Sequence, residues 1–444
     1  MYLRDRTGLT FTQKGRILRE VSRDHAEHYD RLMDGGLYKT LVNNRLMVAH
    51  VERGLKFAVT AEAYRVINPR AVSLETYPYE WGFSQFKVAA LHVLKIAQAA
   101  LDHNMLLSSV APRSVQFENG VPIWTDTLAF IIYREGMAWA AYQQFVQQYV
   151  APLALMARVD VSMGQLLQVY PNGIPLDFAS AALPGRTRIN FGLMSHIHMS
   201  TRLARNTGRV SKSDLHTQLD SLYETVESLN WTATTPLWDK SLADVMQNEG
   251  TFDQRHRFLR DALNETKANT VWDMNAGAGV YARIAAREFG AAVIAMNDTA
   301  EMTELLWHDL TEDERQHVLP LVIDWANPSP GLGWANRERR SIAARANADL
   351  LVCMGLVHRL ALNSGVTLPA MAAAFARLAP SLVVEFVPVN DPLVIAMLES
   401  GQHTIPDYTV ENFEVAFGEH FEVVMAEDVL KTSRKIYLLR RHDS

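Results

Sequence analysis

The second half of the chain alternates short apolar runs with helical patterns, and this alternation limits the folds that are open to it. The runs read NTVWDM (269–274), AAVIAM (291–296), VLPLVI (318–323), ADLLVCM (348–354) and SLVVEFV (381–387). Their length is typical of buried strands, and the segments 300–310, 337–347 and 366–379 between them have helical patterns. Short crossovers of this kind require parallel strands with right-handed connections, so the pattern predicts an α/β fold with an open parallel sheet.

Two further apolar runs, HFEVVMAEDVL (420–430) and SRKIYLLRR (433–441), follow this pattern. They lie close together in sequence, which favours an antiparallel pair because parallel neighbours need a longer crossover. A Rossmann-like sheet of parallel strands that ends in an antiparallel pair is the outline of class I methyltransferases.

A glycine-containing turn follows the first of these strands in VWDMNAGAGVYARIAA (271–286). The strand ends in Asp273, and Asn275, Gly277 and Gly279 precede the next helical pattern. Such a turn lets the backbone approach a ligand closely, and the helix N-terminus offers free N–H groups. Asn275 stands where G-x-G-x-G has its first glycine, and we expect it to imitate glycine at positive φ. The alternative is a tight turn without a ligand, as any doubly wound fold contains.

Polar residues also follow the second and third strands. Asn297 and Asp298 lie about 20 residues after the turn, where an acid usually binds ribose hydroxyls. Asp298 is equally suited to be the N-cap of the next helix. Asp324 and Trp325 end the third strand. In methyltransferases an acid there bonds the adenine amino group and an apolar neighbour packs on the ring, whereas a helix cap is the alternative.

The region from about 250 to 440 resembles a bacterial family of S-adenosylmethionine-dependent methyltransferases that is often labelled nodulation-protein-like. The motifs that carry the resemblance are VWDMNAGAG, NPSPGLGWANRER, GLVHRL, EFVPVND and DYTVENFEVAF, in that order. This chain departs from the family pattern at Asn275, Asn297 and Arg359. The DMNAG turn is also similar to that of plant pectin methyltransferases. The resemblance implies S-adenosylmethionine as cofactor, held by the residues at the three strand ends.

The resemblance also indicates where a methyl acceptor would lie, beside the carboxyl end of the fourth strand. His358 follows that strand and is the candidate general base, with a structural histidine as the alternative. Glu385 lies within an apolar run, where a carboxylate needs a partner, and we expect it to orient His358, to contact substrate or to bind backbone. Trp325 and Trp334 are candidate pocket walls, although packing is the commoner role of such aromatics.

The first half is predicted to be a helix-rich α+β domain spanning residues 1–205, with the methyltransferase domain spanning 206–444 and a basic linker at 200–216. A long amphipathic helix is predicted at 83–104, and Asn119-Gly120 predicts a hairpin turn. MLLSSVAPRSVQFENGVPIWTDTLAF resembles the catalytic hairpin of kinase-like phosphotransferases, with Ser109 and Ser114 at the base and metal positions and Asp126 at the second metal position. Two serines there argue against phosphotransfer, and the alternative is an ordinary hairpin. Substrate binding or homodimerisation are the remaining roles for this domain.

Composition excludes several classes of function. The net charge is −6 and no dense Lys/Arg run occurs, so nucleic acid is not an expected partner. The single cysteine, Cys353, fits a reducing compartment, and with no apolar run long enough for a membrane span we expect a cytoplasmic protein. The histidine pairs His25/His28 and His196/His198 lack acidic or cysteine companions, so no metal site is predicted. We therefore expect a methyltransferase that acts on a small molecule or glycan, at oxygen; a non-catalytic partner subunit is the alternative.

Overall fold

The chain forms two compact units in a computed structural model that describes residues 3–4, 7–199, 209–234, 249–399 and 407–442. The N-terminal unit comprises Met1–Tyr79 and Phe83–Thr232, and the C-terminal unit comprises Glu80–Gly82 and Ala233–Ser444. The sequence predicts a boundary at 205/206, but the helix Lys212–Ser228 belongs to the N-terminal unit, where it packs on the helix Phe83–Asp102.

The N-terminal unit begins with a five-stranded antiparallel sheet and continues mainly with helices. The strands, in spatial order, are Leu3–Arg4, Gly8–Gln13, Arg16–Ser22, Ala63–Pro69 and His50–Arg53. The main helices are Ala26–Asp34, Leu37–Asn43, Phe83–Asp102, Tyr142–Phe145, Ala151–Arg158, Leu166–Val169, Leu176–Ala182 and Lys212–Ser228, with π-helical turns at Val146–Val150 and Met194–His198.

Two small two-stranded sheets follow the long helix of this unit. Met105–Leu107 pairs with Phe130–Ile132, and Val115–Glu118 pairs with Val121–Trp124. The second pair is the hairpin predicted from Asn119-Gly120. Both turn residues have positive φ, 50° and 75°, as a two-residue turn that matches the strand twist requires.

The C-terminal unit contains a seven-stranded sheet, which we number β1 to β7. The strands are β1 (Thr270–Asp273), β2 (Ala292–Asn297), β3 (Val318–Val322), β4 (Leu350–Cys353), β5 (Ser381–Phe386), β6 (Phe421–Asp428) and β7 (Lys435–Arg441). Their order is β3-β2-β1-β4-β5-β7-β6, with β1 to β5 parallel and β7 antiparallel to both neighbours. The predicted parallel sheet with an antiparallel terminal pair is confirmed.

Helices precede the sheet and connect its strands. They are α1 (Glu249–Thr266), α2 (Val280–Phe289), α3 (Ala300–Asp309), α4 (Glu312–Arg315), α5 (Val357–Ser364), α6 (Leu368–Leu378), α7 (Pro392–Glu399) and α8 (Val410–Gly418). The predicted helix at 337–347 is wrong, because this segment, all of it described, contains only the short 3-10 turn Ala343–Arg345. None of the described helices has the length and apolar character needed to cross a membrane.

The core of this unit lies between the parallel strands and the helices α1 and α2. Val271 of β1, Val352 of β4 and Val383 of β5 are each at most 1% exposed and pack with Phe258 of α1 and Ala282 of α2. Parallel strands that are covered by helices on both faces are apolar on both faces, and the strands of this sheet follow that pattern. The polar residues at the strand ends therefore stand out against an apolar interior.

Candidate active site

A cavity of about 250 Å³ lies at the carboxyl ends of β1 to β4. It is lined by residues that follow each of these strands: Met274, Asn275, Asp298, Thr299, Ile323, Asp324, Trp325, Ala326, Leu356, Arg359, Leu360, Asn363 and Ser364. The strand order reverses between β1 and β4, and open α/β sheets bind their ligands in the crevice at this reversal. Of the predicted cofactor residues, Asn275, Asp298, Asp324 and Trp325 line this cavity, whereas Asp273, Gly277, Gly279 and Asn297 are not part of its lining.

The turn between β1 and α2 is held in a conformation that two glycines make accessible. Gly277 has φ 54°, and a Cβ built on it would meet no other atom of the described chain within 4 Å. Gly279 has φ 79° and caps α2, and a Cβ there would lie 2.5 Å from Cδ1 of Leu306. Gly279 is thus required by packing against α3, whereas the space above Gly277 is open for a ligand to approach the backbone.

Asn275 does not imitate glycine, so the predicted reason for its presence is wrong. Its φ is not positive. Its side chain instead links the ends of two strands: Nδ2 donates to the carbonyl of Met354, 2.9 Å away, and Oδ1 accepts from Nη1 of Arg359 at 2.9 Å. The amide is retained for these hydrogen bonds, which no glycine can form.

Asp273 is completely buried at the end of β1. Neither carboxylate oxygen has a hydrogen-bond partner among the described residues, and burial raises the pKa of this carboxyl to about 7. The backbone amides of Asn275 and Ala282 lower the pKa without reaching hydrogen-bonding geometry. A buried carboxylate without donors is costly, and a ligand that supplies donors relieves this cost.

The two residues at the end of β2 have different partners. The side chain of Asn297 is 3% exposed and binds the turn: its Oδ1 accepts from the N–H of Gly277 at 2.8 Å, and its Nδ2 donates to the carbonyl of Gly277 at 3.3 Å. Asp298 forms an ion pair with Arg359 of α5. The N-cap of α3 is Thr299, so the alternative role of Asp298 as N-cap is wrong. Asn297 positions the turn, and Asp298 faces the cavity.

Asp324 and Trp325 line the cavity from the end of β3. Oδ1 of Asp324 accepts from the N–H of Ala326 at 2.8 Å, which fixes the carboxylate in an exposed turn and leaves its second oxygen for a ligand. The ring of Trp325 lies 6.5 Å from that of Trp272, and its indole Nε1 has no partner among the described residues. Trp334 is 83% exposed and does not line this cavity, so it does not form the predicted pocket wall.

His358 begins the first turn of α5 and is buried, 5% exposed. Burial and the nearby guanidinium groups of Arg434 and Arg359 lower its pKa to about 3, against a smaller opposing effect of Asp391. Its Nδ1 has no hydrogen-bond partner among the described residues, and it is not part of the cavity lining. The imidazole is therefore neutral at physiological pH, and its pKa lies far below the value near neutrality that the sequence argument requires.

Glu385 does not orient His358, and this part of the prediction is wrong. Its Oε1 accepts from Nε of Arg255 at 2.8 Å, and its Oε2 lies 3.8 Å from Nη1 of Arg434. Arg434 also binds Asp391 through Nε and Nη2, at 2.6 and 2.9 Å. All four side chains are at most 5% exposed, so they form a buried ionic network that joins α1, β5 and the β6–β7 turn.

The sequence analysis missed Arg255 and Arg434 as partners of Glu385. A signal for Arg255 was present, because it precedes Phe258, Leu259 and Ala262 by helical spacing and so lies on the apolar face of α1. A charged residue on that face predicts a buried opposite charge. Arg434 carries no such signal, since it lies in the turn between two strands.

The kinase-like positions of the N-terminal unit do not form a metal site. Asp126 pairs with Arg19 and accepts from the N–H of Leu128 at 3.0 Å, and Ser109 contributes only a long contact of 3.5 Å from Gln144. His196 lies between Tyr142 and Ser221, and His198 between Ser180 and Thr187, all within 3.0 Å. Among the described residues no group of three or more His, Cys, Asp or Glu side chains is placed to hold a metal ion.

The chain is similar over nearly its whole length to a known protein. Nodulation protein NoeA of Rhizobium meliloti (strain 1021) is 26% identical over 99% of this chain and 95% of the relative. No protein-family model matches the chain. The chain is thus a homologue of a nodulation protein, and its C-terminal unit has the strand order of class I methyltransferases.

Among solved structures, the N-methyltransferase NodS of Bradyrhizobium japonicum WM9, with S-adenosylhomocysteine bound, is 10% identical over 45% of this chain and 91% of its own, at a TM-score of 0.33. The geranyl diphosphate C-methyltransferase of Streptomyces coelicolor A3(2) is 12% identical over 43% of this chain and 76% of its own, at a TM-score of 0.32. WbdD is 12% identical over 43% of this chain and 41% of its own, also at a TM-score of 0.32. The assignment of the fold rests on the strand order and not on these similarities.

Proposed function

We propose that the protein is an S-adenosylmethionine-dependent methyltransferase that acts on a hydroxyl group of a small molecule or glycan. The observation that carries this proposal is the cavity at the reversal of the strand order, which residues from the ends of β1, β2, β3 and β4 line together. The resemblance of the sequence motifs around the same strand ends supports it.

The residues of the cavity fit this cofactor. Beside the lining residues, and not part of the lining itself, Asp273 offers two buried carboxylate oxygens that lack donors, and the open space above Gly277 lets a ligand reach the backbone of the turn. Asp324 is placed to accept from an amino group, beside the apolar faces of Ile323 and Trp325. When bound, S-adenosylmethionine supplies a methyl group that is already activated by its sulfonium. The protein's contribution is to hold cofactor and acceptor in line and to exclude water.

Methyl transfer to a hydroxyl breaks the S–CH3 bond, forms an O–CH3 bond and releases the hydroxyl proton, which must pass to a base or to water. A histidine with a pKa of about 3 is a weak base, so we assign His358 a supporting role at the end of β4. The segment CMGLVH after β4 lacks the Asn/Asp-Pro-Pro-Tyr signature of N-methyltransferases, which favours an oxygen or carbon acceptor over nitrogen.

A second candidate function is that of a non-catalytic subunit. It is favoured by one observation, the ion pair between Arg359 and Asp298, which occupies the acid at the end of β2. Turnover distinguishes the two: an enzyme forms S-adenosylhomocysteine from S-adenosylmethionine with a suitable hydroxyl acceptor, whereas a binding subunit does not.

Calorimetry with S-adenosylhomocysteine on the full chain tests the proposal. We expect the wild type to bind, and Asp324→Ala to weaken binding by about 1.5–3 kcal/mol, the usual contribution of a hydrogen bond to a charged group. Asp261→Ala, an exposed change on α1, is the matched control and leaves the affinity unchanged. The proposal fails if the wild type does not bind, and the place assigned to Asp324 fails if its folded variant binds like the wild type.

A further inference from the structure

Arg359 and Asn275 are in direct contact, and both line the cavity. Nη1 of Arg359 donates to Oδ1 of Asn275 at 2.9 Å. Nη2 of the same guanidinium pairs with Oδ2 of Asp298, which also lines the cavity. One side chain from α5 therefore reaches across to the ends of both β1 and β2.

The guanidinium of Arg359 is held by the side-chain amide of Asn275, and the backbone of Met354 in turn orients this amide. Because Nδ2 of Asn275 donates to the carbonyl of Met354, its Oδ1 is turned toward Arg359. The amide thus acts as a second anchor beside the carboxylate of Asp298. With only one of these anchors, a long arginine side chain has many more conformations to choose from.

The guanidinium of Arg359 binds the carboxylate that would otherwise accept hydrogen bonds from ribose hydroxyls. In sheets of this class an acid at the end of β2 accepts hydrogen bonds from the ribose hydroxyls of a nucleoside cofactor. Asp298 is the acid at that place, since the neighbouring Asn297 is buried and bound to Gly277. The guanidinium pairs with Oδ2 of Asp298, so a ribose diol whose two hydroxyls take both carboxylate oxygens competes with Arg359 for Oδ2.

We propose that Arg359 is a latch that sets the affinity of the cofactor site: its guanidinium must release Oδ2 of Asp298 before both hydroxyls of a ribose diol can bind this carboxylate. This inference rests on the proposed function, because it takes the ligand to be a nucleoside cofactor. The side chains of Arg359 and Asp298 are 25% and 34% exposed, so the pair opens toward solvent and its opening costs little.

Calorimetry with S-adenosylhomocysteine on Arg359→Met tests the latch on the full chain. Methionine keeps an apolar stem and removes the guanidinium. We expect binding to become about two- to tenfold tighter, the range for release of one partly exposed ion pair and one hydrogen bond. Arg377→Met removes the same charge from an exposed position on α6 and is the matched control, with unchanged affinity. Arg359→Lys, which keeps one charge but not the fork, lies between the two.

The response to salt gives a second measurement that does not depend on activity. Salt screens the pair that must open, so the wild type binds S-adenosylhomocysteine more tightly as sodium chloride is raised, and Arg359→Met shows a smaller change. Weaker or unchanged binding by Arg359→Met, in a protein that melts like the wild type, overturns the latch alone. Absence of binding in the wild type and in every variant overturns the proposed function and the latch together.

Discussion

Arg255 and Glu385 form an ion pair in the interior of the C-terminal unit, with Nε of Arg255 2.8 Å from Oε1 of Glu385 and both side chains at most 2% exposed. The pair connects α1 to β5, a strand in the interior of the sheet. Charges that have been taken out of water depend on each other, because removal of one leaves the other buried and uncompensated.

We therefore predict that Arg255→Met destabilises the protein by about 3–5 kcal/mol, as measured by urea unfolding. Arg257→Met is the control, because Arg257 lies two positions further along α1 and pairs with Glu427 in an exposed site, 61% and 37% exposed. That change should cost less than about 1 kcal/mol. Equal effects of the two substitutions would show that the buried pair contributes no more than the exposed one.

The same pair explains why the sequence predicted the fold better than the chemistry. Apolar runs such as the one that contains Val383 determine strands by local composition, and their parallel orientation follows from the crossovers between them. The partner of Glu385 cannot be predicted from local composition, because Arg255 lies 130 positions away along the chain and only the packing of α1 on β5 brings the two together. His358 shows the same limit: its place after β4 was predictable, but its pKa depends on burial and on Arg434.

Asp273 should make stability depend on pH. Its pKa is 3.8 in an unfolded chain and about 7 in the folded protein, so the folded state binds the proton more tightly. Between these values the unfolded state ionises first, and wild-type stability falls as pH rises. Asp273→Asn removes this titration. We predict that the variant gains about 2–4 kcal/mol relative to wild type between pH 4 and pH 8, measured by urea unfolding. A difference that does not change with pH would contradict the burial argument.

His358 should remain neutral throughout the physiological range, because burial and two nearby guanidinium groups lower its pKa to about 3. In protein labelled with ¹³C at the histidine ring, the signal that disappears in His358→Gln should not shift between about pH 5 and pH 8. We also predict that His358→Gln lowers turnover by less than about tenfold. The pH–rate profiles of the variant and the wild type should have the same shape near pH 6.5. A limb at that pH, lost in the variant, would restore the role of general base.

The N-terminal unit should not turn over ATP. Ser109 and Ser114 supply no carboxylate or amide at the positions that phosphotransferases use, and Arg19 pairs with the carboxylate of Asp126. We predict no magnesium-dependent ATP hydrolysis and no shift of the melting temperature with magnesium and ATP. Hydrolysis that Asp126→Asn abolishes would show that this carboxylate still holds a metal ion.

Gly277 and Gly279 should differ in what an added methyl group disturbs. Both have positive φ, so alanine at either position costs about 1–2 kcal/mol of backbone strain. At Gly279 the new Cβ also lies 2.5 Å from Leu306, so Gly279→Ala should be the more destabilising change by urea unfolding. At Gly277 the Cβ meets no described atom and projects into open space. The free energy of unfolding of Gly277→Ala should therefore fall only by the cost of backbone strain. The variant should nevertheless bind S-adenosylhomocysteine at least about tenfold more weakly, because the methyl group fills the space that the ligand needs. If its affinity equals that of the wild type, the ligand does not approach the backbone at this turn.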